Sequence, residues 1–388
     1  MNTLETFQVD IPSEGRFTRH EAIGWWDQAR LARARVLVVG AGALGNEVLK
    51  NLALVGVGHL TVVDMDTVAP SNLSRSVLFR EPDVGRPKAR VAAERLSDLH
   101  PSIQVTAREG ALADVLPVGL VARHDLVIGC LDSLEARLDL DDLAHRAGVP
   151  WINGGLGVSA GEVAHLDPTA GKACFTCTVS SAARGRRARR FSCQGLRRDL
   201  PEEAVPTTAT MASMVAALQV HQALLVLHGR TGEYLAPGEK HYLALTPWTS
   251  LKMPLQRQAE CPVHERATTR SLPVAFRPDL TLGELWPRLE ARTPVLWLRR
   301  RWLLEVRCPA CETVEAIERP VASVREQALA CPECATVRTP TILDRLTPAS
   351  TDPSWTLERL GILGEDALPC QDGDTWKAIA FRPERSTP

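Results

Sequence analysis

The sequence predicts an α/β fold, with a doubly wound and mostly parallel sheet, followed by a smaller C-terminal domain. Strand and helix signals alternate from residue 36 to residue 153, as expected for parallel strands that are covered by helices on both faces. After about residue 268, prolines and cysteine pairs replace that alternation. A chain of 388 residues has room for both units, so we expect domains at 1–268 and 269–388.

Each element of the first domain has its own signal. A short apolar strand at 36–40 ends in glycine, and Leu44, Val48, Leu52 and Val55 then repeat with helical spacing. Charged and proline-marked boundaries indicate where later elements begin and end. Further strands are expected at 60–64, 103–106, 125–129 and 150–153, and further helices at 86–99 and 133–147.

The pattern changes after residue 178. The stretch from about 178 to 206 is polar and rich in arginine, which indicates a long crossover loop at the surface. A helix at about 207–229 and a strand near 241–246 follow. The apolar part of that helix includes Gln219 among other polar residues, so we expect a buried helix rather than a membrane span.

The composition excludes several classes of protein. Because 45 basic and 46 acidic residues give a net charge of −1, the overall charge gives no general case for nucleic acid or an anionic membrane as a partner. The N-terminus lacks the basic and apolar segments of a secretory signal, so we expect a cytoplasmic protein. Six of the ten cysteines form C-x-x-C pairs, which are typical of metal ligands in a reducing compartment.

A glycine-rich turn follows the first strand. Gly40, Gly42 and Gly45 lie between that strand and the next helix, where backbone N–H groups can bind phosphate. Asp64 ends the second strand, where a carboxylate can hold ribose hydroxyls. These residues are equally typical of an NAD(P)-dependent oxidoreductase, because a glycine fingerprint does not specify the chemistry.

The charged residues that follow favour a triphosphate over a dinucleotide. Asp66 lies two residues beyond Asp64, and Arg75, Lys88 and Asp132 come later in that order. Two cations would neutralise departing pyrophosphate, and an aspartate would hold Mg²⁺. Taken singly, each cation is typical of a solvated surface residue, and the aspartate of a helix N-cap. Taken together, they favour a nucleotide site.

Eight motifs occur along residues 15–268, in the order RFTR, GAGALG, VVDMDTV, SNLSR, GRPK, CLDS, CFTC and CPVH. In this the chain resembles the ThiF/MoeB family of adenylyltransferases, which are related to the ubiquitin-activating enzymes. The resemblance implies a site for MgATP and for the C-terminal glycine of a ubiquitin-fold protein. The glycine carboxylate would attack the α-phosphate, which gives an acyl-adenylate and pyrophosphate.

The resemblance also implies roles for single residues. Asp64 would hold the ribose, Asp132 would coordinate Mg²⁺, and Arg75 and Lys88 would contact phosphates. The full set of nucleotide-binding residues that it implies is Gly40, Gly42, Gly45, Asp64, Asp66, Asn72, Arg75, Lys88, Asp132 and Ser133.

Three further positions bear on the resemblance. Arg19 matches an arginine that the family supplies from the partner subunit, so the resemblance implies a homodimer in which Arg19 is catalytic. Ala43 replaces a frequent glycine, which a negative φ would tolerate. Ser133 replaces a common asparagine, which leaves one nucleotide contact open.

The cysteine pairs predict two zinc sites. Cys174 and Cys177 form half of the first site, and Cys261 and His264 supply the other half 84 residues later. Zinc accepts a Cys₃His tetrahedron, and a site with four protein ligands is structural. The family usually has cysteine where His264 stands. The alternative is an exposed His264, with Cys370 or no residue as the fourth ligand.

The second zinc site is a zinc ribbon at 308–334. Its ligands are two C-x-x-C pairs separated by 19 residues, a spacing typical of zinc sites, and they are Cys308, Cys311, Cys331 and Cys334. Strand-like runs at 295–306 and 312–317 flank the first pair. A redox role would need a βαβ context, which is missing here. The ribbon either binds a protein or nucleic acid partner or only folds the C-terminal region.

Cys193 lies in the arginine-rich crossover loop, where nearby cations favour its thiolate. The resemblance implies that such a cysteine takes the activated glycine as a thioester or carries sulfur. An ordinary loop cysteine is the alternative. We expect Cys130 to be a buried residue at a strand end.

The sequence therefore predicts an ATP-dependent enzyme that adenylates a ubiquitin-like or sulfur-carrier protein, with transfer to Cys193 as a possible second step. ATP, Mg²⁺ and Zn²⁺ are the expected cofactors, and a conjugating enzyme or a sulfur donor is the expected downstream partner. An oxidoreductase would leave Arg75, Lys88 and Asp132 unexplained. A non-catalytic scaffold is disfavoured because no expected catalytic position is missing.

Overall fold

The computed structural model describes residues 15–183, 207–266, 270–321, 324 and 329–383. These residues form one sheet of eight strands and a second sheet of six strands. Helices cover both faces of the first sheet. The predicted α/β class is confirmed. The predicted domain boundary falls at 268, outside the described residues, and stays a prediction.

The first sheet is parallel in one half and antiparallel in the other. Its order is β3-β2-β1-β4-β5-β6-β7-β8, and β1 to β5 are parallel to one another. Strands β6 to β8 add in antiparallel fashion beside β5. The bounds of these strands are β1 Arg35–Val39, β2 His59–Asp64, β3 Gln104–Glu109, β4 Leu126–Gly129, β5 Trp151–Leu156, β6 Ala160–Leu166, β7 Glu239–Leu245 and β8 Trp248–Pro254.

The helices divide between the two faces of that sheet. Three long helices, α3, α4 and α8, share one apolar core with the sheet, and the shorter α5 and α6 join α7 in the core on the other face. The described helices are α1 Thr18–Glu21, α2 Gln28–Arg33, α3 Ala43–Leu54, α4 Lys88–Leu99, α5 Leu112–Val115, α6 Val118–Val121, α7 Leu134–Ala147, α8 Ala209–Leu227, α9 Pro262–Glu265 and α10 Leu282–Leu285.

Helix α8 is long and apolar enough to cross a membrane by length and composition. It nevertheless lies in the core, where 61% of its apolar window is buried inside the protein. Both Gln219 and Gln222 are fully buried and hydrogen-bonded. The prediction of a buried helix is confirmed by these contacts.

The second sheet has its own apolar core and docks on the first unit. Its order is β11-β10-β13-β14-β9, and β12 pairs with β10. Backbone contacts join the units, because Gly119 N–H donates to Glu365 O over 2.8 Å and Arg146 donates to Ala367 O over 2.9 Å. The strands are β9 Ser271–Phe276, β10 Pro294–Arg307, β11 Val314–Pro320, β12 Thr339–Leu346, β13 Ala367–Asp372 and β14 Thr375–Pro383.

Candidate functional site

The glycine turn between β1 and α3 is closely packed on one side and open on the other. Gly40 has a φ of +97°, and a Cβ atom there would lie 2.3 Å from the carbonyl oxygen of Cys130. A Cβ atom at Gly45 would lie 1.9 Å from the Gly40 oxygen, so both positions require glycine. Gly42 is the N-cap of α3 and has open space in front of it. A phosphate group fits this space at the helix N-terminus.

Ala43 has the negative φ that the sequence analysis required of an alanine at this position. It is the first residue of α3 and is absent from the described residues with positive φ. Its side chain therefore costs no backbone strain.

Asp64 organises this turn as well as standing at the expected ribose position. Its carboxylate accepts hydrogen bonds from Ala41 N–H over 2.6 Å and from Asp66 N–H over 2.8 Å. Burial raises the pKa of Asp64, whereas these two N–H groups and the Lys88 cation act to lower it. The Asp64 carboxylate thus connects the end of β2 to the glycine turn.

Lys88 and Asp66 form an ion pair beside Asp64. The Lys88 Nζ lies 2.8 Å from an Asp66 carboxylate oxygen, and only 10% of the lysine side chain is exposed against 55% for the aspartate. The lysine is therefore not a solvated surface cation. Since Asp66 is the exposed member, a bound phosphate would compete with it for the ammonium group.

Asn72 and Arg75 lie in the loop after β2. The Asn72 side-chain oxygen accepts a hydrogen bond from Ala69 N–H over 2.9 Å, at the 3₁₀ helix Pro70–Asn72. The Arg75 guanidinium donates to Ser71 O over 2.7 Å and is half-buried. These hydrogen bonds hold both side chains against the backbone of their own loop.

Asp132 lies at the carboxyl end of β4, one strand away from the glycine turn. It is exposed, and its carboxylate makes no hydrogen bond or ion pair with the residues that the structure describes. The N-cap of α7 is Ser133, whose hydroxyl accepts from Ala136 N–H over 3.1 Å. The alternative that Asp132 is an N-cap is therefore wrong. An exposed carboxylate without a hydrogen-bond partner, beside a glycine turn with room for phosphate, suits Mg²⁺.

The buried Asn46 and the half-buried Arg137, which the sequence analysis missed, support these loops. The Asn46 side chain donates to Ala41 O and Gly42 O over 2.7 and 3.0 Å and accepts from Leu78 N–H. The Arg137 guanidinium donates to Leu131 O over 2.6 Å, and burial lowers its pKa. An amide side chain within the apolar face of α3 was the signal that could have identified Asn46.

Arg19 lies at the opposite end of the sheet from the glycine turn. Its helix α1 follows Phe17, whose ring stacks 5.6 Å from that of His100, at the C-terminus of α4. Phe17 also contacts Gly56, just beyond the C-terminus of α3. Because α3 has 12 residues, it separates these contacts from Gly42 by about 18 Å. Within one chain, Arg19 therefore does not complete the site.

Cys193 and the arginines around it lie outside the described residues. Cys130 is half-buried at the end of β4, and burial raises the pKa of its thiol well above the ordinary value. A protonated thiol is a poor nucleophile. Cys130 lies directly after the last residue of β4, as expected, but it is half-buried where the sequence predicted a buried residue.

The first predicted zinc quartet comes together in the structure. The sulfur of Cys174 lies 3.7 Å from that of Cys177 and 3.6 Å from that of Cys261, close to the roughly 3.8 Å edge of a tetrahedron around zinc. The four ligand atoms, with that of His264, lie within 4.8 Å of one another. The buried His264 Nε2 has no partner among the described residues. These residues fit zinc, and Cys370 lies elsewhere, in β13.

The carboxylate of Asp141, on α7, holds the backbone between the first two cysteines of this quartet. Asp141 is 1% exposed and accepts hydrogen bonds from Phe175 N–H, from Thr176 N–H and hydroxyl, and from the Trp151 indole. The Cys174–Cys177 segment is thereby held in one conformation. A hydrogen bond from Cys174 lowers the pKa of Cys261 below the ordinary thiol value, which favours the thiolate form that zinc binds.

The second quartet has two knuckles of the same construction. The N–H of Cys308 donates to Thr313 O, and that of Cys331 donates to Thr336 O. The residue after each second cysteine, Glu312 or Ala335, has a φ near +60°. Sulfur pairs across the knuckles are 3.5 and 3.6 Å apart, which again fits tetrahedral zinc.

The comparisons with known proteins agree with this geometry. The ThiF family model matches residues 16–263. The chain is 36% identical over 180 residues to the "SAMP-activating enzyme E1" of Haloferax volcanii, covering 46% of this chain and 66% of that protein. It is 34% identical over 251 residues to the "Sulfur carrier protein adenylyltransferase" of Thermus thermophilus, covering 62% and 86%.

A solved structure shows the same fold. The crystal structure of Escherichia coli MccB with ATP superposes with a TM-score of 0.53 at 20% identity, over 65% of this chain and 74% of that chain. The family match ends before the second sheet begins. Because the match covers well over half of the sequence, the chain belongs to the ThiF family.

Proposed function

We propose that the chain uses MgATP to adenylate the C-terminal glycine carboxylate of a ubiquitin-like or sulfur-carrier protein. Two relatives of this chain carry names that state such an activity. The observation that supports it best is the cluster of cations and acids around an open glycine turn. Lys88, Arg75 and Asp132 serve an anionic triphosphate and have no task in hydride transfer, so they disfavour the oxidoreductase.

The residues of the site would act by positioning and by charge. The open turn at Gly42 and the cations Arg75 and Lys88 would bind the phosphates, and Asp64 would hold the ribose. Asp132 would hold Mg²⁺, which neutralises phosphate charge when it is bound. A glycine carboxylate oxygen would then bond to the α-phosphorus as the bond to pyrophosphate breaks, and pyrophosphate carries away the electron pair. Such chemistry needs alignment more than covalent help.

The position of Arg19 supports a homodimer. Since Arg19 lies at the far end of its own sheet, it would reach the site of a partner subunit. Cys193 would take the activated glycine from the adenylate in a second step, with AMP as the leaving group. A conjugating enzyme or a sulfur donor would act next.

Both cysteine quartets would hold structural zinc, because four protein ligands leave no open position. The ribbon in the second sheet either adds a partner-binding surface or only folds this region. Abundant reduced thiols fit a cytoplasmic protein.

Exchange of labelled pyrophosphate into ATP tests the proposal. The wild type should exchange label only when a carrier that ends in Gly-Gly is present. Asp132→Asn should lower the rate at least 100-fold, on the order of the loss expected when a charge-stabilising group is removed. The exposed Asp98→Asn serves as the control and should match the wild type. Carrier-independent exchange, or normal exchange by Asp132→Asn, would contradict the assignment.

A further inference from the structure

The loop that carries Asp132 is held at each residue that precedes the aspartate. Gly129, at the end of β4, accepts a hydrogen bond from the Gln219 side chain of α8 over 3.1 Å. Cys130 donates its N–H to Val39 O and packs its carbonyl against Gly40. Leu131 O accepts from Arg137. The exposed carboxylate of Asp132 thus stands on a fixed backbone.

Among the residues that hold this loop, Gln219 comes from helix α8, far along the chain from the glycine turn. Its amide nitrogen donates to Gly129 O and, over 3.3 Å, to Ile152 O, so it joins the last residue of β4 to the second residue of β5. Since both neighbours are carbonyl oxygens, the amide nitrogen must face them. The residue is fully buried, where an unmade hydrogen bond carries the full cost of desolvation.

Strand β5 leaves room for the Gln219 amide because it has a glycine at the point of contact. A Cβ atom at Gly154 would lie 2.4 Å from the Gln219 side-chain oxygen. The pairing of β4 with β5 ends at Gly129 and Asn153, so the amide bridges the two strands near the point where their pairing ends. The glutamine therefore substitutes for strand pairing just before the chain turns toward Asp132.

We propose that Gln219 is a positioning residue for Asp132 and thereby sets the affinity of the site for Mg²⁺. This inference rests on the proposed adenylation function. Without the amide, Gly129 O loses the hydrogen bond from Gln219, and the backbone from 129 to 132 samples more conformations. The carboxylate would then have to be ordered when the metal binds, which weakens binding.

A matched control lies one turn further along α8. Gln222 is also fully buried, and its side chain exchanges two hydrogen bonds with the backbone of Leu235. It is equivalent to Gln219 in residue type, helix and burial, but it touches no part of the loop from 129 to 132. Gln219→Leu and Gln222→Leu should therefore lower thermal stability to a similar extent.

Two measurements separate positioning from stability. The first is the Mg²⁺ concentration that half-saturates pyrophosphate exchange. The second needs no turnover: it is the enhancement of water-proton relaxation when Mn²⁺ binds with the α,β-methylene analogue of ATP. In both measurements, Gln219→Leu should need a metal concentration about fivefold higher than the wild type. This factor corresponds to the loss of about one net hydrogen bond. Gln222→Leu should stay within about twofold of the wild type.

Gln219→Glu provides a second variant in case Gln219→Leu does not fold. Its carboxylate would face two carbonyl oxygens, and protonation would restore one donor. Its metal requirement relative to the wild type should therefore fall as the pH is lowered from 8 to 6. Equal metal requirements in the Gln219 and Gln222 variants, or no pH effect in Gln219→Glu, would overturn the inference. A wild type that exchanges no pyrophosphate would overturn the function instead, and Mn²⁺ binding would still test Gln219.

Discussion

At the scale of single residues, the sequence identified side chains that we propose act on a ligand, and it missed those that hold the backbone. Lys88 and Asp132 stand in recognisable motifs, and the structure places both around the glycine turn. Asn46, Arg137 and Gln219 hold carbonyl groups that are distant in the chain or belong to loops. Their roles depend on tertiary contacts, which no local pattern encodes.

Cys193 separates the two halves of the proposed reaction. Adenylation uses the carboxylate of the carrier and needs no enzyme thiol, whereas transfer does. Cys193→Ala should keep pyrophosphate exchange within about twofold of the wild type, because the loop cysteine is absent from the adenylation step. The same variant should lose the covalent adduct between enzyme and carrier on a non-reducing gel.

The control for this experiment is the wild-type adduct itself, which a thiol reductant should cleave. An adduct that persists in Cys193→Ala would show that another cysteine is the nucleophile. A wild type that adenylates without forming an adduct would leave the acyl-adenylate as the product.

At the scale of elements, the parallel strands and long helices were predictable because continuous apolar runs and helical spacing mark them. Strand β6 and the end of β5 were not, since glycines make that stretch resemble a loop. Gly161 is needed there because a Cβ atom would lie 2.4 Å from Val215 on α8. Close packing of a helix on the sheet thus removed the local strand signal.

The two cysteine quartets predict two zinc ions for each chain. Metal analysis of the purified protein should give this ratio, and Cys261→Ser should lower it to one. Cys308→Ser should also lower it to one, which shows that the sites fill independently. Asp141→Asn should weaken zinc retention against a chelator, because the Cys174–Cys177 segment would lose acceptors that hold it.

Cys370→Ser is the matched control for both sites. Cys370 is a buried cysteine of β13 that lies outside either quartet. Two zinc ions per chain in Cys261→Ser would contradict the first site. Fewer than two zinc ions per chain in Cys370→Ser would support Cys370 as a zinc ligand.

At the scale of the whole molecule, the fold class and the membership of the ThiF family were predictable from the order of motifs. The docking of the second sheet was not. It depends on contacts such as Arg123 with Glu365 and Arg146 with Ala367 O, between residues that are more than 200 positions apart. Nothing in the local sequence marks these pairs.

The location of Arg19 makes a prediction about the assembly. Arg19→Ala and Asp132→Ala chains should each be inactive, since we propose that Arg19 serves the partner's site and that Asp132 holds the metal. Mixed dimers should regain activity, because one site of each hybrid combines an intact Arg19 with an intact Asp132 from the other chain. The measurement is pyrophosphate exchange after subunit mixing.

Subunit exchange is verified with differently tagged chains. Hybrids that form and stay inactive would place Arg19 in the site of its own chain or outside both sites. The first outcome would conflict with the position of α1 beside the C-terminal ends of α3 and α4, and the second would remove Arg19 from the proposed mechanism.

The most direct test of adenylation is the transfer of label from ATP to a carrier. With ATP labelled at the α-phosphate, the Cys193→Ala variant, which cannot take the glycine and release AMP, should attach labelled AMP to a carrier that ends in Gly-Gly. It should leave an otherwise identical carrier unlabelled when the terminal carboxylate is an amide, because the amide offers no anionic oxygen to attack the α-phosphate. Label on the amidated carrier, or on neither carrier while ATP is bound, would contradict the proposed function.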